Sequence, residues 1–162
     1  MFFVNARAII ERQLNDDTEI VIQTRNKPNE PLKLELPGGR IEPYEPLTQA
    51  LRREVMEETG LELTEIEGEQ TRVDTSDISP EFAVECLKPF AAYQTVHGPI
   101  DSVGYYFRCK AEGELVRKGD ETSDIRWIGV KELSVMMVRD PLQFSNVDRA
   151  GIKFYLKQID NG

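Results

Sequence analysis

Residues Gly39–Leu61, GRIEPYEPLTQALRREVMEETGL, decide how this chain is read. Pro46 suits the first turn of a helix, where its missing N–H costs nothing. Gly60 suits the left-handed position just past a helix end, so the spacing predicts one helix over residues 46–59. At about 100° per residue, Leu47, Ala50 and Leu51 form an apolar stripe on it. Glu54 and Glu58 continue that stripe and Glu57 lies at its edge. A merely solvated acidic face would sit opposite the leucines instead.

Like charges three and four residues apart, Glu54 with Glu57 and Glu58, cost a bare helix roughly 0.2–0.5 kcal/mol per pair, and more when partly buried. A cation among them removes the conflict. The segment contains neither His nor Cys, so carboxylate and carbonyl oxygens point to Mg²⁺ or Mn²⁺ rather than zinc. Just upstream, Leu32, Leu34 and Leu36 alternate with Lys33 and Glu35, the pattern of a short strand. Pro37-Gly38-Gly39 then reads as a turn that lets backbone approach a ligand closely. Strand, glycine loop and acidic helix together outline a cradle for phosphate and metal.

With these residues in view, the segment resembles the signature of the Nudix hydrolase family, Gly-x5-Glu-x7-Arg-Glu-U-x-Glu-Glu-x-Gly-U, with U a bulky aliphatic residue. Gly39, Glu45, Arg53, Glu54, Val55, Glu57, Glu58, Gly60 and Leu61 fill every specified position. The resemblance implies an α/β (α+β) fold, a Nudix-type α/β/α sandwich with a mixed, partly antiparallel β-sheet. It implies that Glu57 and Glu58 ligate the metal with the carbonyl of Gly39. Glu54 then either acts as base on water or joins the metal shell. Arg53 holds a glutamate of the motif in place, with Glu57 four residues on, and Glu45 is structural. The implied chemistry is attack of water on one phosphorus of a diphosphate, with activity rising toward alkaline pH.

Length and composition agree with such a protein. At 162 residues and 40% hydrophobic, the chain is expected to build one domain spanning residues 1–162. A net charge of −9 argues against a nucleic-acid polymer as partner, because phosphate contacts need a basic surface. It leaves room for a small phosphate substrate, since a bound metal reverses the local sign. Cys86 and Cys109 are too few and too isolated for a zinc site or a disulfide framework. There is no apolar run of membrane-spanning length and no leader pattern. Residues 1–10 read as an opening strand, and a cytoplasmic protein away from membranes is the expectation.

Along the rest of the chain, strands are expected at Glu19–Thr24, Phe82–Cys86, Phe90–Val96, Val103–Cys109 and Ile125–Val130, and helices at Lys131–Val138 and Val147–Ile159. Family members often add an acid from a late loop, and Glu121 in Gly119-Asp120-Glu121-Thr122 is the choice here. Asp120, Glu112 and Glu114 compete with it. Arg25, Lys27 and Arg40 are candidates to touch substrate phosphates. Trp127 is expected to pack the sheet against the helix that follows it, and His97 to sit in a turn. Tyr105 and Tyr106 must face opposite sides of one strand.

The substrate class implied is a nucleoside diphosphate derivative, either a nucleotide sugar such as ADP-ribose or a nucleoside triphosphate. Sanitation of oxidised nucleoside triphosphates is a variant of the same chemistry. A non-catalytic nucleotide-binding module is a reading of another class, marked by eroded box acids, and these are intact. Downstream of the box stand Asp77, Ile78, Ser79 and Pro80, with no Ser-Gln-Pro-Trp run, so the subfamily signals name no single substrate. Many relatives form homodimers, and Thr71–Pro80 is either such an arm or a lid over the site.

Overall fold

The computed structural model describes residues 1–160. Its frame is a mixed sheet built on β1 (Phe2–Leu14), β2 (Asp17–Arg25), β9 (Asp101–Glu112) and β11 (Thr122–Gly129). Counting β5 (Glu62–Ile66) and β10 (Lys118–Gly119), the order across it is β10-β11-β2-β1-β9-β5. β1 runs parallel to β9 from Phe2↔Asp101 to Ile10↔Cys109, while β2 lies antiparallel to both β1 and β11. The short strands β3 (Lys33–Glu35), β4 (Gly38–Arg40) and β8 (Ala91–Gln94) attach to β2, β1 and β9 respectively.

Period-two alternation divides the sheet into two apolar faces. Ala6, Ala8, Ile10, Val21, Phe107 and Cys109 pack with Leu51 and Val55 of helix α1 (Leu47–Thr59). Ile9, Ile20, Ile22, Tyr106 and Ile128 pack on the other side with Leu133 of α2 (Val130–Arg139) and with Ile152 and Tyr155 of α3 (Asn146–Asp160). The α/β/α layering expected from the resemblance is therefore present.

Helix α1 ends as predicted, with Gly60 left-handed at φ 79° and its N–H bonded to the Met56 carbonyl. Pro46 stands one residue before the first turn rather than in it. No side chain of its own caps this helix; Glu85 of β7 (Glu85–Cys86) accepts the Leu47 N–H at 2.9 Å instead. β7 pairs with β6 (Val73–Asp74) in a separate ribbon. The expected strand at Phe82–Cys86 is thus reduced to its last two residues, and Ile78 and Phe82 lie exposed at the ribbon's tip.

Two further expectations need correction. Gly38 and Gly39 do not form an open turn, because β4 pairs antiparallel with Asn5–Arg7 of β1. Trp127 packs with the cluster under α1, not against α2, and the Arg12 guanidinium lies 4.2 Å above its ring. The α1 side is the face to which the strand's parity turns it. His97 sits in an exposed bend, as expected. No helix among the described residues is long and apolar enough to cross a membrane.

Candidate active site

Helix α1 presents its acids in graded environments. Glu57 has a side chain 46% exposed, Glu54 is half-buried, and Glu58 is buried. Arg53 gathers the outer group. Its Nε and Nη2 donate to the two oxygens of Glu45 at 2.8 and 2.9 Å, and its Nη1 donates to Glu54 at 2.9 Å. Glu57 lies 3.6 Å from the same nitrogen, and Nη2 also reaches the Arg40 carbonyl at 3.3 Å. This hydrogen-bonded pairing with Arg53 holds the Glu45 carboxyl below its ordinary range.

Glu58 is held differently. The backbone N–H of Gly38 donates to one of its oxygens at 2.8 Å, and the side-chain amide of Gln23 donates to the other at 3.1 Å. The same Gln23 nitrogen donates to buried Glu35 at 3.2 Å. Neutral donors leave much of the desolvation uncompensated. Burial first, and then the charge of Glu35, push the Glu58 carboxyl up to about 8 against the Gly38 hydrogen bond. Burial also raises Glu35 and Glu54, opposed by Arg7 and Arg53 respectively.

Glycine at 39 is a spatial requirement. A Cβ there would stand 2.7 Å from the carboxyl carbon of Glu54, so a side chain at 39 could enter only by displacing that carboxylate. Gly38, at φ 146°, lies against the backbone of Ala6 and Arg7, which places its N–H on Glu58. Hard oxygens from Glu54, Glu57, Glu58 and the Gly39 backbone, with a buried acid lacking full charge compensation, are a donor set that fits a divalent cation. Among the described residues, no three acidic, imidazole or thiol side chains are already drawn into a closed cage; Glu54 and Glu57 lean toward Arg53.

The other sequence candidates fall around this helix. The turn carrying Glu121 packs on the end of α1: Asp120 N–H points to the Glu57 carbonyl at 3.4 Å, and Thr122 Oγ1 donates to the Glu58 carbonyl at 3.3 Å. Glu121, at φ 54°, pairs through its side chain with Lys27 at 3.2 Å. Arg25 bonds Glu30 at 2.8 Å and lies 3.9 Å from Glu35. Arg40 lies over the Phe3 ring at 4.3 Å. Arg25, Lys27 and Arg40 thus have partners within the chain, and the first two stand on the same side as Glu35 and Glu121.

Glu35, Gln23, Arg7 and Asp148 were missed from the sequence. Alternation in Leu32–Leu36 suggests that Glu35 faces solvent, whereas β3 lies where Glu58 and Gln23 cover it. The available signal was polarity out of place: Gln23 follows Ile20-Val21-Ile22, and Arg7 stands between Ala6 and Ala8. Arg7 is buried, donates to the Leu36 carbonyl at 3.1 Å, and lies 4.0 Å from Glu35 and 3.4 Å from Asp148. Asp148 in turn accepts the Leu36 N–H and the Tyr106 hydroxyl, at 2.8 and 2.9 Å.

A broad concavity of about 740 Å³ opens elsewhere, near Glu11, Ile66, Glu67 and Arg108. Arg108 pairs with Glu11 and Lys110 with Glu65 along its wall, and it contains no residue of the box.

Comparison with known proteins bears on the fold and the family. The NUDIX domain family model matches residues 4–148. No curated protein matches the chain in sequence. Among solved structures, the ORF135 protein of E. coli is 20% identical with a TM-score of 0.65, covering 99% of this chain and 92% of its own. A MutT NUDIX hydrolase from Burkholderia pseudomallei is 17% identical with a TM-score of 0.64, covering 94% and 97%. A NUDIX hydrolase from Nitrosomonas europaea is 21% identical with a TM-score of 0.66, covering 99% and 73%. At such identities the structural likeness speaks for the fold, while the family match spans most of the sequence and includes the whole acidic helix. The chain belongs to the Nudix hydrolase family.

Proposed function

We propose that this protein is a Mg²⁺- or Mn²⁺-dependent pyrophosphohydrolase that cleaves the diphosphate linkage of a nucleoside diphosphate derivative, either a nucleotide sugar such as ADP-ribose or a nucleoside triphosphate. The observation that carries this reading is the placement of Glu58. A buried carboxylate held only by the neutral donors Gly38 N–H and Gln23, beside Glu54 and Glu57, is stabilised by a divalent cation and destabilised without one.

In this reading Glu57, Glu58 and the Gly39 carbonyl hold the ion, which when bound neutralises diphosphate oxygens and acidifies water. Arg53 fixes one oxygen of Glu54, leaving the other to accept a proton from the attacking water. Glu121 supplies a further carboxylate from the turn packed on α1. Lys27, Arg25 and Arg40 supply positive charge to the phosphates, with Lys27 exchanging its present contact with Glu121 for substrate.

The test is product release with Mg²⁺ from ADP-ribose, other nucleotide sugars, dinucleotides, nucleoside triphosphates and an oxidised nucleoside triphosphate, for the wild type beside Glu57→Gln. Turnover of one class that is lost in the variant supports the reading and names the class. Binding without turnover under either ion would overturn it in favour of a non-catalytic module.

A further inference from the structure

Gln23 is an unusual residue for its place. Strand parity puts it beside Val21 on the face covered by α1, it is fully buried, and its Oε1 has no hydrogen-bond partner among the described residues. An orphaned buried carbonyl oxygen is destabilising, and an aliphatic side chain at this position would remove that cost. The amide is oriented by what faces its nitrogen. Both neighbours, at 3.1 and 3.2 Å, are carboxylate oxygens, one of Glu58 and one of Glu35. A donor suits both acids in their ionised, metal-binding form, and an NH₂ group has one N–H for each.

We infer that Gln23 is a positioning residue of the metal centre, bridging Glu58 and Glu35 so that Glu58 keeps one fixed orientation on α1. The inference rests on the metal-binding reading above. Glu58 is restrained at both oxygens, by Gly38 N–H on β4 and by Gln23 on β2. The bridge is in turn braced from behind. Glu35 lies 4.0 Å from Arg7 and 3.9 Å from Arg25, and Arg7 is itself tied to the Leu36 carbonyl and adjoins Asp148 on α3. With the amide between them, the two acids are held apart at a fixed separation. Support of this kind, one contact removed from a metal, orients the ligand and tunes its affinity.

The experiment is titration of Mn²⁺ into the metal-free protein, with free ion read by electron paramagnetic resonance. Wild type, Gln23→Met, Gln23→Asn and Glu57→Gln are compared, and folding is checked by circular dichroism. Methionine keeps the length and removes both donors; asparagine keeps the amide but is too short to span both acids. The expected result is Mn²⁺ affinity weakened about 10- to 100-fold in Gln23→Met, with the fold retained. If the methionine variant fails to fold, the asparagine variant carries the same expectation. Unchanged affinity in the folded variant, alongside a loss in Glu57→Gln, overturns the role of Gln23 and leaves the metal reading standing. A wild type that takes up no Mn²⁺ overturns both.

Discussion

The site has an outer and an inner half, and they are built on opposite principles. In the outer half, Arg53 collects Glu45, Glu54 and Glu57 within one helix and the loop before it, partly in water. In the inner half, Glu58, Gln23, Glu35, Arg7 and Asp148 come from α1, β2, β3, β1 and α3 and are all buried. Partly solvated pairs contribute little to stability, because water already screens them. A buried chain of charges stands or falls as a unit, because removing one member strands the others away from solvent. The outer half can therefore change function at small cost to the fold, whereas the inner half cannot.

The most direct way to break this contrast is Arg7→Met. It leaves Glu35 and Asp148 facing each other without their shared cation, and we expect a loss of about 3–5 kcal/mol in urea-induced unfolding. A loss no larger than that of a surface substitution would mean that the inner chain is not a unit.

Next in size is the pH dependence of the metal-free protein. Glu58 has a folded-state value pushed up to about 8 from an ordinary 4.5, so the folded state retains a proton that the unfolded state has released. Its contribution is fully present below 4.5 and is lost as pH rises through about 8. Thermal melts between those limits should show stability falling with pH. Glu58→Gln should flatten the slope and abolish the proposed metal-dependent hydrolysis, and saturating Mg²⁺ should flatten it in the wild type if that ion occupies the proposed site. A slope unchanged by Glu58→Gln would assign it to another group.

The helix cap sharpens the comparison from a third side. Glu85→Gln weakens a long-range acceptor at the N-terminus of α1, and a loss of about 1 kcal/mol is expected by chemical denaturation. The smallest stability effect belongs to the outer half. Gly39→Ala displaces the carboxyl end of Glu54 and leaves the backbone pairing in place, so unfolding should shift by no more than about 0.5 kcal/mol. Hydrolysis should nonetheless fall sharply, because Glu54 loses its position. A variant with normal turnover would remove Glu54 from the reaction.

The legible parts of the fold were those with local periodicity. α2 and α3 lie where their apolar spacing predicts, and β1, β2, β9 and β11 lie where apolar residues run together. β4 was not legible, because glycines have no side-chain pattern and its pairing with Asn5–Arg7 is a tertiary event. β5 has a weak alternation in Glu-Leu-Thr-Glu-Ile, and only pairing with β9 makes it a strand. Phe82 and Val84 carry strand-like chemistry yet remain exposed, since β6 offers them no sheet to bury against.

By itself, the sequence determined the family, the acidic helix and its C-terminal end at Gly60, because helix geometry turns spacing along the chain directly into spacing in space. Glu45, Arg53, Glu54, Glu57 and Glu58 needed nothing more to be singled out. Only the tertiary structure decided which of those acids is buried, that Glu85 caps the helix, and that Glu35 faces inward. It alone joined Gln23, Arg7 and Asp148 to the site, because burial and long-range hydrogen bonds depend on which strands become neighbours, and no local pattern encodes that.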